Sequence, residues 1–507
     1  MTSDKLAALN ERLGEISDVA GAMSLLGWDQ QTLMPKAGAQ VRASRLGTLT
    51  KIYDQLFTDP ALGELLDALS EDSNLGEPDS DDVRLVEVVR DDYRLNRLVP
   101  TDLKVALSDA SNAGYMAWIE ARNTSDFSIL QSHLEEGVKL LKQEIEYVRA
   151  GDDRFTEDYD VLLHGYEPGL KSSEVTRVFK DLKNATVPLV AVVRERQDLV
   201  DDGVLHQDYS VAAQKESVLE MAKQLGFTED SWRLDVTEHP FASKMAIDDI
   251  RITTRYYQNF FNPSWFGTMH EFGHGLYEHG ISHDLERTPL NRGASMAFHE
   301  SQSRMWENLI GRGRPFWDWA MPKVQATYPG QLGSVSADDM YRAVNRLQPS
   351  LIRVEADELT YNLHIILRYE IERDLFGGGL NVADLPEAWN ARFKDMFGIN
   401  VPNDAEGVLQ DVHWGSGLFG YFSTYALGNV VSLQLWERIR KEIPTLDEQT
   451  SQGEFGELRS WLKENLHQHG RKFKPTDLLE RIVGTPTFDA APLIAYLTDK
   501  VHGLYGE

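Results

Sequence analysis

Residues 6–27, LAALNERLGEISDVAGAMSLLG, place Leu9, Leu13, Ile16, Val19 and Met23 at steps of three or four, the spacing of an amphipathic helix and not of an alternating strand. The same period governs the surrounding chain. It resumes after Trp28 and Pro35 from Ala39 to Phe57, pauses at the acidic, turn-rich EDSNLGEPDSDD of residues 71–82, and returns from Val83 to Leu98 before Pro100. Leu134, Val138, Leu141 and Ile145 then mark one face of a long helix over 130–148. The first 150 residues therefore read as antiparallel helices that build a wall. Strand alternation occurs in one place: WRLDVT at 232–237 and DIRITTR at 249–255, with about ten residues containing His239-Pro240 between them. From Ser264 onward the pattern is helical again, broken at Gly311–Pro315 and Gly377–Gly379. The predicted fold class is mostly α with one small β-sheet.

The chain has 507 residues, 80 Asp and Glu against 51 Lys and Arg, a net charge of −29 and no cysteine. That length supports one large core or several smaller ones. The missing cysteines exclude disulfide frameworks, thiolate metal sites and a cysteine nucleophile, so any metal must be held by His, Asp or Glu. The acidic surface, without a basic patch, argues against nucleic acid as a partner. The N-terminal MTSDKLAALNERLGEISDVAGAM lacks the basic start and apolar run of a secretory signal, and no stretch reaches the roughly 18 apolar residues of a membrane span. A cytoplasmic protein is the expectation.

Six of the fourteen histidines (His239, His270, His274, His279, His283 and His299) fall between 239 and 299. Within that cluster, His270-Glu271-Phe272-Gly273-His274 is an H-E-x-x-H run. Two histidines four apart lie about 40° apart around a helix, so both imidazoles reach one metal while Glu271 projects beside it. A catalytic zinc takes three protein ligands and keeps one position open. Glu300, 26 residues after His274 in a second predicted helix, is a candidate third ligand. The competing reading is a helix that merely shows two histidines to solvent or to a polar core.

A further helix is predicted from Ser350 to Asp374, with Arg353, Asp357, Thr360, His364 and Arg368 on one stripe. Beside Ile352, Leu359, Leu363, Ile366 and Leu367, this stripe reads as the lining of a wet cleft, where an arginine can take a carboxylate through two hydrogen bonds. Further on, the run Gly407 to Trp414 precedes a glycine- and aromatic-rich segment, GSGLFGYFSTYALGN at 415–429. On its own that segment is more often a packing motif than a site.

The motifs together resemble the Taq-type metallocarboxypeptidase family over essentially the full length, from Gly27-Trp28-Asp29 with Met34-Pro35 to Tyr425-Ala426-Leu427. His239-Pro240-Phe241 stands first, then Asp249, Arg251 and Thr253 as D-x-R-x-T, and then the H-E-x-x-H run. His299-Glu300-Ser301 with Gln302, Ile352-Arg353 with Ala356-Asp357, and the G-x-x-Q-D-x-H-W run at 407–414 complete the order. The resemblance implies a nearly all-helical, saddle-like subunit with a deep groove and the small sheet near the active site, and usually a homodimer. It implies one peptidase domain over 1–507, with a helical wall to about 150, a catalytic groove region over about 230–430 and C-terminal helices over 431–507.

By the same resemblance His270, His274 and Glu300 bind one divalent metal, zinc or else cobalt, and Glu271 is the general base. Arg353 meets the substrate's terminal carboxylate, and His239, Arg251, His413 and Tyr425 line the groove. The expected reaction is release of single C-terminal amino acids from peptides by metal-activated water, with His413 or Tyr425 as an oxyanion donor. An oligopeptidase or dipeptidyl carboxypeptidase using the same metal site is the alternative within enzymes. A non-enzymatic helical protein with a structural metal is the alternative outside them.

Overall fold

A computed structural model describes residues 2–506. The chain forms two compact units, each drawn from three stretches: residues up to 97 with 202–344 and 435–485, and residues 98–201 with 345–434 and 486 onward.

In the first unit the opening amphipathic pattern forms a helix, Thr2–Thr32, that buries Leu9, Leu13 and Ile16. These residues share a core with Leu62, Leu66 and Leu69 of helix Pro60–Ser70 and with Leu85, Val86, Val89 and Tyr93 of helix Asp81–Leu98. Asp59 caps Pro60–Ser70 by accepting the Ala61 N–H at 2.9 Å, and a proline follows at the start of the helix, where its missing donor costs nothing. The same core takes in Ile247, Ile281, Leu285 and Leu290. The N-terminal helices are thus anchored to the segments on either side of the helix Asn262–Gly280, which carries the H-E-x-x-H run.

The sheet has three strands where the sequence shows two: β1 (Trp232–Val236), β2 (Ala242–Ala246) and β3 (Asp249–Thr254), in the order β1-β3-β2. β1 runs parallel to β3, with Trp232 opposite Ile250, and β2 runs antiparallel to β3 with a register shift between Lys244 and Ala246. The extra strand, ASKMA, has no β-branched residue and no alternation, because both of its faces are half-buried. Thr253 ties two motifs together: its hydroxyl accepts the Phe241 N–H at 2.8 Å and donates to the Phe241 carbonyl at 3.0 Å.

Helix Asn262–Gly280 buries residues on most of its circumference, including Trp265, Phe266, Met269, Phe272 and Tyr277. Two glycines make that possible. A Cβ at Gly273 would lie 2.4 Å from the Gln302 carbonyl oxygen and 2.6 Å from Ser303 Cα, and one at Gly275 would lie 2.3 Å from the Trp232 ring. The helix Met296–Arg304, which carries Gln302 and Ser303, and the sheet therefore close onto the motif at van der Waals contact.

In the second unit, Thr101–Thr124 and Ser128–Gly151 form an antiparallel pair, and its other helices include Ser172–Glu195, Tyr361–Gly377, Leu385–Phe397 and Ala491–Tyr505. The helix predicted from Ser350 begins only at Tyr361. Arg353–Glu355 is a single 3₁₀ turn, and Asp357 stops propagation by accepting the N–H groups of Leu359 and Thr360, both at 2.9 Å, and of Gln348 at 2.9 Å. The wet stripe is also corrected. Arg353, Thr360, His364 and Arg368 are all buried, because Tyr361–Gly377 is covered on most of its circumference, polar residues such as Asn362, His364, Arg368 and Glu372 included.

Among the described residues no helix is long and apolar enough to cross a membrane.

Candidate functional site

The first unit gathers His270, His274 and Glu300 so that one ligand atom of each lies within 4.8 Å of the others. The helix supplies the two imidazoles one turn apart, with ring centroids 4.9 Å apart. The helix Met296–Arg304, capped by Ser295, supplies the carboxylate. Glu300 Oε2 lies 3.6 Å from His270 Nε2 and 3.4 Å from His274 Nε2. Donors bonded at about 2.0–2.1 Å around a tetrahedral zinc stand about 3.3–3.4 Å apart, so the three atoms fit a small divalent ion.

The hydrogen bonds behind the imidazoles leave both Nε2 atoms free. His270 Nδ1 lies 2.8 Å from Glu307 Oε2, an ionised acceptor, so Nδ1 carries the proton. His274 Nδ1 lies 2.6 Å from His299 Nδ1, and His299 Nε2 lies 2.8 Å from Glu278 Oε1. Although burial opposes it, Lys244 and His299 hold Glu278 well below the usual carboxylate range. Glu278 must therefore accept from His299 Nε2, His299 Nδ1 accepts from His274 Nδ1, and His274 Nε2 keeps its lone pair. Burial pushes His274 down to about 4, so it is neutral at pH 7.

Glu271 is buried next to this set, and burial raises its carboxyl to about 7 against the pull of His270. A carboxyl that exchanges its proton near neutrality suits a general base. Glu300 is the opposite case: burial opposes ionisation, but Arg304 and the two imidazoles hold it well below its ordinary range. Sequence reasoning missed Glu307 and Arg304. Arg304 is four residues after Glu300 and Glu307 three further on, so a continued helical face was the available signal.

The two expected groove residues of this unit lie on the sheet and on one of its connections. Arg251 pairs with Asp249 through two bonds of 2.8 Å and stacks on Trp28, its guanidinium carbon 4.6 Å from the ring centroid, while Arg233 lies 4.9 Å from the same ring. His239 is exposed in the β1–β2 connection, where its backbone N–H donates to the Thr237 hydroxyl at 3.0 Å.

The second unit brings Arg353, His413 and Tyr425 together around Asp411. Arg353 donates to Asp411 from Nε at 3.2 Å and from Nη2 at 2.6 Å, and Arg368 donates to the same carboxylate at 2.9 and 2.5 Å. The Arg353 guanidinium lies 5.2 Å from the Tyr425 ring centroid, and His413 Nδ1 lies 3.8 Å from Asp411. Two guanidiniums thus share one carboxylate. Burial pushes His413 down to about 4 and His364 well below its ordinary value, so neither adds charge at neutral pH.

At the glycine- and aromatic-rich segment, part of the backbone is held by a buried carboxylate. The N–H of Gly420 at 2.8 Å, Trp414 Nε1 at 2.7 Å and the Tyr159 hydroxyl at 2.7 Å all donate to buried Glu372.

The family model described as Carboxypeptidase Taq (M32) metallopeptidase matches residues 8–501. Thermostable carboxypeptidase 1 of Thermus thermophilus is 40% identical over 497 residues, covering 97% of each chain. Carboxypeptidase 1 of Bacillus subtilis is 39% identical over 494 residues, again 97% of each chain. Among solved structures, the M32 carboxypeptidase of Deinococcus radiodurans superposes with a TM-score of 0.96 at 36% identity, covering 99% of this chain and all of that one.

Proposed function

This chain belongs to the Taq-type (M32) metallopeptidase family and is a metallocarboxypeptidase, and from that premise we propose that it releases single C-terminal amino acids from peptides with a free C-terminus. The observation that carries the proposal is the facing of His270 Nε2, His274 Nε2 and Glu300 Oε2, with Glu271 buried beside them. These three residues hold one divalent ion. Two nitrogens and an oxygen in a small site favour zinc, with cobalt as the other candidate. Bound there, the ion supplies a Lewis acid that polarises the scissile carbonyl and acidifies the attacking water.

Glu271 accepts the proton of that water as its oxygen bonds to the last peptide carbonyl. It then delivers the proton to the leaving nitrogen as the C–N bond breaks, and the released amino acid carries it as an amine. A carboxyl raised to about 7 both takes and returns a proton at neutral pH. Arg353 binds the terminal carboxylate, and Tyr425, whose ring lies near its guanidinium, and His413, beside Asp411, contact the substrate. His239 and Arg251 are assigned to substrate binding as well. The proposal includes a single peptidase domain, a cytoplasmic setting and a homodimer.

Incubating the purified chain with a peptide mixture, with and without chelator, and weighing the products tests it. Single amino acids released only without chelator are the expected result. Dipeptides or internal fragments would indicate the oligopeptidase alternative, and loss of the fold on chelation would indicate a structural metal.

A further inference from the structure

The third donor of the cation site is a carboxylate, and a carboxylate can offer an ion one oxygen or two. Glu300, Arg304 and Glu307 follow one another at steps of four and three along helix Met296–Arg304 and the π-helical turn Met305–Gly311 that continues it. One guanidinium therefore sits between two carboxylates. Arg304 Nε donates to Glu300 Oε1 at 2.7 Å, and Arg304 Nη1 donates to Glu307 Oε2 at 3.2 Å. The two oxygens of Glu300 are thereby made unequal. Oε1 is taken by the guanidinium, whereas Oε2 accepts one bond from the Ser303 hydroxyl at 3.0 Å and faces the Nε2 atoms of His270 and His274.

The same arginine acts on a second donor. Glu307 Oε2 is also the partner of His270 Nδ1, and Arg312 Nη2 lies 3.4 Å from Glu307 Oε1. The side chains of Glu300, Arg304 and Glu307 are 5%, 14% and 13% exposed, so water does little to loosen the arrangement. A charge-assisted hydrogen bond in such surroundings is among the stronger ones a protein makes.

We propose that Arg304 is a positioning residue that limits Glu300 to one-oxygen ligation and, through Glu307, fixes the ring of His270, so that the site selects a small, low-coordinate ion over larger ones such as Mn(II) or Ca(II). The inference rests on the reading that His270, His274 and Glu300 hold the metal. Zinc is satisfied by four donors, whereas ions that prefer six or more oxygens gain from carboxylates that turn to present both. Turning Glu300 would break its bond to Arg304. Selectivity thus comes from a residue that never touches the ion, in the way that partners of the ligands tune metal sites generally.

The experiment uses the full chain stripped of metal, with Arg304→Met and Arg304→Lys beside wild type. Three quantities are read: the Kd for Zn(II) and for Mn(II) by competition with a chelating dye, and the visible absorption of the Co(II)-loaded protein, which is stronger in four-coordinate than in six-coordinate cobalt. In Arg304→Met the Zn(II) Kd should rise about 10–100-fold. Mn(II) affinity should fall less, so that the Mn(II)/Zn(II) preference moves by about tenfold or more, and the cobalt bands should weaken. Arg304→Lys keeps the charge but lacks the planar fork that spans two carboxylates, so its cobalt bands should weaken even where its Zn(II) affinity is nearly kept. If Arg304→Met fails to fold, Arg304→Lys alone decides.

A folded variant with the wild-type cobalt spectrum and the wild-type Mn(II)/Zn(II) ratio overturns the role of Arg304. His274→Ala separates the two levels. Should it retain wild-type Zn(II) affinity, the metal assignment itself fails; should it lose zinc while the Arg304 variants behave as wild type, only the role of Arg304 falls.

Discussion

Replacing Arg353 by alanine should raise KM for peptides with a free C-terminus by about two to four orders of magnitude. Of its five N–H groups, Nε–H and one Nη2–H go to Asp411, and one Nη1–H lies 3.2 Å from the Tyr361 hydroxyl. Two remain, one on each terminal nitrogen, and that is the fork a carboxylate accepts. The charge agrees with the geometry, since Asp411 neutralises only one of Arg353 and Arg368. Each hydrogen bond to a charged group is worth about 1.5–3 kcal/mol, so losing two removes about 3–6 kcal/mol of binding, or a factor of about 10² to 10⁴. The fold should survive, because Asp411 keeps Arg368 as a partner.

The assay is the initial rate of amino-acid release against substrate concentration, for a peptide acid and for the matching C-terminal amide. Wild type should strongly prefer the acid, and Arg353→Ala should erase most of that preference, since the cycle isolates the pair. A KM within about threefold of wild type in a folded variant, or an equal loss on acid and amide, would refute the reasoning.

Glu271→Gln should lower kcat by about 10² to 10⁴, the contribution of a positioned general base, while bound metal stays near one ion per chain; a variant of substantial activity would remove Glu271 from the mechanism. Gly273→Ala should destabilise the chain by about 1–3 kcal/mol through overpacking, because its Cβ meets the Gln302 carbonyl and Ser303 backbone, and should weaken metal binding as Glu300 shifts; unchanged melting and metal titration would contradict this. Burial raises Glu372 to about 7 from an ordinary 4.5, so its protonated form favours the fold below about pH 4.5 and that stability, about 3 kcal/mol, is lost as pH rises through 7. Urea unfolding at pH 5 and pH 8 should show a smaller pH-dependent loss in Glu372→Gln than in wild type, and parallel losses would count against it.

What could be read from the chain was what lies within a few turns of itself. The period of Leu9, Leu13 and Ile16 marked a helix with one buried face, and the core bears that face out. His270 and His274 were legible for the same reason, since four residues on a helix is a spatial neighbour. The strand Ala242–Ala246 was not, because ASKMA is a strand only through its pairing with Thr254's own strand β3. Ser350–Tyr361 was misread for a sharper cause. Its spacing is helical, but the Asp357 carboxylate takes backbone N–H groups that a helix would need. The sharing of Asp411 by Arg353 and Arg368 spans 58 and 43 residues, and no local pattern encodes a partner at that distance.

The net charge of −29 conceals two local departures of opposite purpose. In the first unit the carboxylates of buried Glu300 and half-buried Glu307 pair with the half-buried Arg304 and Arg312, so a matched set of charges stands beside the two imidazoles and Glu271. A divalent cation entering there meets donors already ionised and already held, and little reorganisation opposes it. In the second unit the excess is positive: two buried guanidiniums, one carboxylate and two histidines kept neutral by burial. A buried charge without a full partner is costly, and under the proposed function the substrate's carboxylate is the partner of Arg353. Each cluster is therefore incomplete in the sense opposite to the other, and the proposed function gives the first a cation and the second a carboxylate.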